Sequence, residues 1–111
     1  MSNSITDSLV LVDTDEIALD ETAGEQTFRV EGDTSPATLS NTPFGTATPP
    51  PDGGKVHLLG NDDDDTVTVN YNDAAGGCVG NFTSITLGKG AICSFMYSLS
   101  LNRYVLITKS I

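Results

Sequence analysis

At 111 residues and a net charge of −10, from 15 acidic and 5 basic side chains, the chain has room for one modest core and repels nucleic acid and anionic membranes. Hydrophobic residues make up 38% and charged residues 18%, and the plentiful Thr, Ser, Asn and Gly favour strands and turns over helices. No apolar run is long enough to cross a membrane, and Met1–Asp7 lacks the basic and apolar regions of a signal peptide, so the expectation is a soluble chain made in a cytoplasm.

In chain order, residues 1–20 read as an extended, acidic N-terminal arm with one strand-like run, Ser8–Val12. The acidity is concentrated here. Residues 1–33 hold Asp7, Asp13, Asp15, Glu16, Asp20, Glu21, Glu25, Glu31 and Asp33 against the single base Arg29. Residues 88–111 hold Lys89, Arg103 and Lys109 and no acid. Asp13–Glu25 carries Ile17, Leu19 and Ala23, but its Thr, Asp and Gly24 argue for extended chain or one short turn. Gln26–Val30 predicts a strand with Phe28 and Val30 on one face, and Ala37–Leu39 a shorter one. Residues 41–54 contain Pro43, Pro49, Pro50 and Pro51 and predict an exposed polyproline-like connector within one domain spanning 1–111.

The second half is more regular. Lys55–Leu59 is a short apolar run, and Thr66–Tyr71 alternates, with Val67, Val69 and Tyr71 on one face. Thr83–Leu87 alternates again, Gly88–Gly90 predicts a tight turn, and Ala91–Tyr97 places Ala91, Cys93, Phe95 and Tyr97 on one face. Ser98–Asn102 turns the chain into a final strand, Arg103–Thr108. About eight short strands with turn signals between them predict an all-β, antiparallel sandwich or barrel, jelly-roll-like in form.

No constellation in the sequence points to an enzyme. The lone histidine, His57, sits in a strand-like run and reads as structural, and no nucleophile motif or phosphate-binding glycine loop occurs. Cys78 and Cys93 match no zinc spacing and read as small buried residues, with a disulfide disfavoured in a reducing compartment. Asp62, Asp63, Asp64 and Asp65 form the one dense carboxylate cluster. It lacks the glycine and glutamate of an EF-hand, which leaves a solvated turn, with a weak calcium site as the alternative. Asn81–Thr83 matches a glycosylation sequon that matters only in a secretory pathway. No cofactor is expected.

From Gly53 onward the chain resembles a known group of modules. The residues that carry the likeness are Lys55–Gly60, the Asn/Asp-rich turn, Thr66–Val69, a Gly-rich turn, Ile85–Gly90, the aromatic strand ending at Tyr97, and Asn102–Val105, with Thr38–Gly45 upstream. This strand-and-turn rhythm, over about half of the chain, resembles small β-sandwich virion proteins of tailed bacteriophages: capsid decoration (cement) proteins and tail-appendage tip modules. Tyr104, where many such modules carry tryptophan, and the proline run depart from the pattern. The resemblance implies a homotrimer, occasionally a dimer, that binds the major capsid protein on the outer capsid surface and strengthens the head. The alternatives are a receptor-binding tip and a cellular calcium-dependent binding module. An apolar residue in a polar stretch needs a cover. On that ground the interface candidates are Leu9, Leu11, Asp13, Asp15, Glu16 and Ile17 in the arm, and Phe44, Pro49, Pro50 and Pro51 in the connector.

Overall fold

The computed structural model describes residues 5–111, and among them there is no helix. Nine strands form: β1 (Ile5–Leu11), β2 (Glu25–Gly32), β3 (Ala37–Thr38), β4 (Lys55–Gly60), β5 (Val67–Asn70), β6 (Cys78–Val79), β7 (Ser84–Leu87), β8 (Ile92–Ser98) and β9 (Arg103–Ser110). They make a six-stranded sheet in the order β1-β2-β4-β8-β9-β6 and a three-stranded sheet in the order β3-β5-β7. The first four residues of the expected arm lie outside the described residues.

Alternation explains which face each strand buries. In β2 the buried positions are Gln26, Phe28, Val30 and Gly32; in β4 they are Val56, Leu58 and Gly60; in β5, Val67 and Val69; in β7, Ile85 and Leu87. These side chains meet between the sheets, where β2 lies against β5 and β7 against β8. Cys93, Phe95 and Tyr97 of β8 and Tyr104 of β9 complete the same core. An aromatic chain runs through it: Phe44 lies 4.7 Å from Tyr104 and 6.1 Å from Phe95, and Tyr97 lies 5.0 Å from Tyr104, ring centre to ring centre. Such tilted and edge-on pairs add to the gain from burial alone.

The expected antiparallel arrangement is corrected, and with it the jelly-roll form. β4–β8, β8–β9 and β5–β7 are antiparallel, but β1–β2, β2–β4, β3–β5 and β6–β9 are parallel. The parallel pairs are possible because long irregular segments, including 41–54, return the chain to the starting end of the sheet. Alternation reports which side a residue faces and is silent about strand direction, so the sequence could not reveal this.

The arm and the connector are corrected as well. From Ile5 the arm is the edge strand of the larger sheet, and Ile17, 1% exposed, and Leu19 enter the core. The connector is folded inward: Pro43, Phe44, Pro50 and Gly54 are buried. Two backbone bonds dock its end on β8, Gly53 N–H donating to Tyr97 O (2.8 Å) and Tyr97 N–H to Gly54 O (2.8 Å), while Gly54 N–H closes a turn on Pro51 O (2.8 Å). The Gly88–Gly90 turn is as expected, with Gly90 at φ +84°. It interlocks with the end of β4, where a Cβ on Gly60 would lie 1.9 Å from the Gly88 carbonyl oxygen.

Candidate interface

The interface candidates of the arm are stitched to the body of the domain. Asp13 accepts the Thr38 N–H (2.9 Å), and Asp15 accepts the Val12 N–H (2.9 Å). Glu16 accepts the hydroxyls of Thr42 (2.8 Å) and Ser40 (3.3 Å). Thr14, held at φ 67°, donates its N–H to Thr38 O (2.8 Å), and Ile17 N–H donates to Pro43 O (2.7 Å). The carboxylates therefore satisfy this chain's own groups. Leu11 and Ile17 are buried, and Leu9 is half-buried against the core. Phe44 and Pro50 are buried, Pro49 is half-buried and Pro51 is exposed. The cover that the sequence led one to seek in a partner is, for Leu11, Ile17, Phe44 and Pro50, this chain's own core.

Between the arm and β3 lies an open cleft of about 500 Å³, lined by Asp13, Thr38, Leu39, Ser40, Asn41 and Asn70 among others. A second, of about 330 Å³, is lined by Glu16, Phe44 and Thr46 among others. The first presents hydroxyl, amide and carboxylate groups, a donor and acceptor set suited to a hydroxyl-rich ligand.

The aspartate cluster is a built turn. Asp62 Oδ1 accepts the N–H groups of Asp64 (2.8 Å) and Asp65 (2.8 Å), which hold its carboxyl below the usual range. Asp63 accepts the Lys89 N–H (2.9 Å) and so ties this turn to the next. Desolvation, followed by the charges of Asp62, Asp64, Glu31 and Asp33, raises the carboxyl of Asp65. Among the described residues, no three His, Cys, Asp or Glu side chains are grouped so as to hold a metal ion.

His57 bridges three strands. Its Nδ1 is 2.6 Å from Ser94 Oγ and its Nε2 is 2.6 Å from Glu25 Oε2. The sequence showed no such group, because Glu25, His57 and Ser94 meet only through the β2–β4–β8 pairing. The order of contacts is that of a nucleophile, a base and an acid. Ser94, however, is 4% exposed in mid-strand, which leaves its Oγ no open approach for a carbonyl. The row serves as a cross-strand clamp. Cys78 and Cys93 are free and buried, and burial pushes the Cys93 thiol up to about 12 and the Cys78 thiol higher still. Thiols in that state are poor nucleophiles.

The surface that sequence reasoning missed is the tip of the β8–β9 hairpin. Leu99 is 62% exposed and Leu101 is 57% exposed. Their backbone is pinned: Leu99 N–H donates to Asp52 Oδ1 (2.9 Å), Asn102 N–H to Ser98 O (2.8 Å), and Gly76 N–H to Asn102 O (2.8 Å). Asn102 takes φ 55°, a conformation asparagine tolerates, and receives the Tyr97 hydroxyl (3.1 Å). Arg103, bonded to Asp73 (3.2 Å), closes the far side. A turn that needs only polar residues thus displays two leucines on a fixed frame, and Leu-x-Leu inside a turn was the signal available in the sequence.

No family model matches this chain, and no curated protein does. Among solved structures, a chain in one described as "Structure of a chaperone-substrate complex" has a TM-score of 0.54 and 9% identity over 80% of this chain, which spans 14% of that longer chain. At that identity the likeness concerns the fold alone.

Proposed function

We propose that this chain is a non-enzymatic structural protein of a tailed-bacteriophage virion, made in the host cytoplasm and bound to the outer capsid surface as a decoration (cement) protein. Its two sheets are read as the layers of a small sandwich. Its partners are the major capsid protein and copies of itself, in a trimer or a dimer. The observation that carries the reading is the pinned hairpin tip with Leu99 and Leu101 exposed. Burying a leucine contributes ~1.5–3 kcal/mol, and a loop already held in place loses little entropy on docking. The acidic surface suits the outside of a capsid, away from the packaged nucleic acid. Added contacts across the lattice would oppose the outward pressure of the genome.

The test uses a phage carrying this coding sequence, with and without a deletion of it. Heads lacking the protein should rupture at lower temperature, and the purified chain should restore them. Heads equally robust without it would sink the cementing role, and a coding sequence remote from any virion gene would remove the virion setting. A second reading, a receptor-binding tip, is favoured by the cleft lined with Thr38, Ser40, Asn41 and Asn70. It requires hits on a glycan array that Asn41→Ala abolishes. A calcium-dependent module has less support, because Asp62 and Asp63 each commit an oxygen to backbone N–H groups. Calorimetry at millimolar calcium decides that point.

A further inference from the structure

We infer that the six-stranded sheet continues from one copy of the chain to the next, β9 of one copy pairing in parallel with β1 of its neighbour. This rests on the self-association in the proposed function and gives it a contact. β1 and β9 lie on opposite sides of the same sheet. β1, β2 and β4 run parallel, β8 runs against them, and β9 runs against β8, so β1 and β9 point the same way. Copies placed side by side therefore bring β9 to β1 with the strands parallel.

Both edges are open. Among the described residues, β1 pairs on one side only, with β2. β6 covers only Tyr104 and Val105 of β9. The chain leaves at Gly80, φ +144°, where an added Cβ would lie 2.8 Å from the Leu106 Cβ. From Ile107 onward the outer side of β9 has no strand beside it among the described residues. Natural edges are guarded by charge or proline. Here each open stretch carries a single charge, Asp7 in β1 and Lys109 in β9, and the two are of opposite sign. Val10 is 59% exposed and Ile107 is 49% exposed, so each edge offers an apolar side chain.

Charge favours the unlike pairing. The end of the chain that holds β1 is strongly acidic, and the end that holds β9 has only bases. In a parallel junction Lys109, near the end of β9, comes alongside the acidic stretch that follows β1, where Asp13 is exposed. A β1–β1 contact would instead join acid to acid. A head-to-tail contact of this kind closes into a ring or extends along a surface.

Cysteine trapping tests the contact on the full chain. Val10→Cys and Ile107→Cys both fall at exposed positions, and the native thiols are buried and held protonated. Under mild oxidation, a mixture of the two variants should give a disulfide-linked dimer on a non-reducing gel, while neither variant alone should cross-link. Lys109→Glu should lower the yield several-fold, as should high salt. Val10→Cys linking to itself as readily as to Ile107→Cys would overturn the inference in favour of a like-with-like contact. Light scattering of the wild-type chain separates the two levels of failure. An oligomer with no trapped pair overturns this contact and leaves self-association standing, whereas a monomer with no trapped pair at high concentration overturns both.

Discussion

Asp62 and Asp65 are three positions apart in one turn, yet their carboxyls shift in opposite directions. Asp62 ionises readily because the N–H groups of Asp65 and Asp64 point at it. A carboxyl lowered in the folded state contributes stability above its unfolded pKa, and that contribution is lost as pH falls through its folded value. Asp65 is raised by desolvation and by four neighbouring acids, so its sign is reversed. Between the ordinary carboxylate value and its raised one, the folded state binds the proton better, and stability falls as pH rises through that window. At neutral pH, Asp65→Asn should therefore raise the melting temperature and Asp62→Asn lower it. Both differences should shrink on acidification, as thermal melts across a pH series would record. The hydroxyl of Tyr104 gives a second expectation. It is buried and has no hydrogen-bond partner among the described residues, and burial raises its pKa. An unsatisfied buried hydroxyl costs about 1–3 kcal/mol, so Tyr104→Phe should be neutral to stabilising in denaturant unfolding.

At the scale of elements, the strands of the second half were legible because their periodicity is local. β5, β7 and β8 fall where the alternation places them, β4 on the short apolar run and β9 after the expected turn, and Cys93, Phe95 and Tyr97 share the buried face. Tyr71 departs from the expected face of β5: the strand ends at Asn70, and Tyr71 is exposed beside Phe82, 6.0 Å between ring centres. β6 was not legible, since two residues among glycines become a strand only by lying parallel to β9. The connector was misread for a related reason. Its prolines mark it as non-strand but do not say what Phe44 touches 51 residues or more downstream, in Phe95 and Tyr104. Phe44→Ala tests this directly. A buried anchor predicts a loss of about 3–5 kcal/mol in equilibrium unfolding, whereas a solvated connector would lose almost nothing.

For the whole molecule, the division is between residues that hold the fold and residues left over. The acids of 13–16, the aspartate turn and the Glu25–His57–Ser94 row are bonded within the chain. Leu99 and Leu101 take no part in the core, although the frame beneath them is firmly bonded. Little of this surface could be read from sequence, because exposure of a leucine in a turn depends on how the loops at Asp52 and Gly76 support it. Replacing both with serine should leave stability within about 0.5 kcal/mol, as surface changes do, while removing docking. The most direct measurement is co-sedimentation of the chain with phage heads stripped of it. Saturable binding by the wild type, lost in the Leu99→Ser, Leu101→Ser variant and accompanied by regular density on the outer capsid surface, is the predicted result. Wild-type protein left in the supernatant at micromolar concentration, or a serine variant that binds as well, would contradict it.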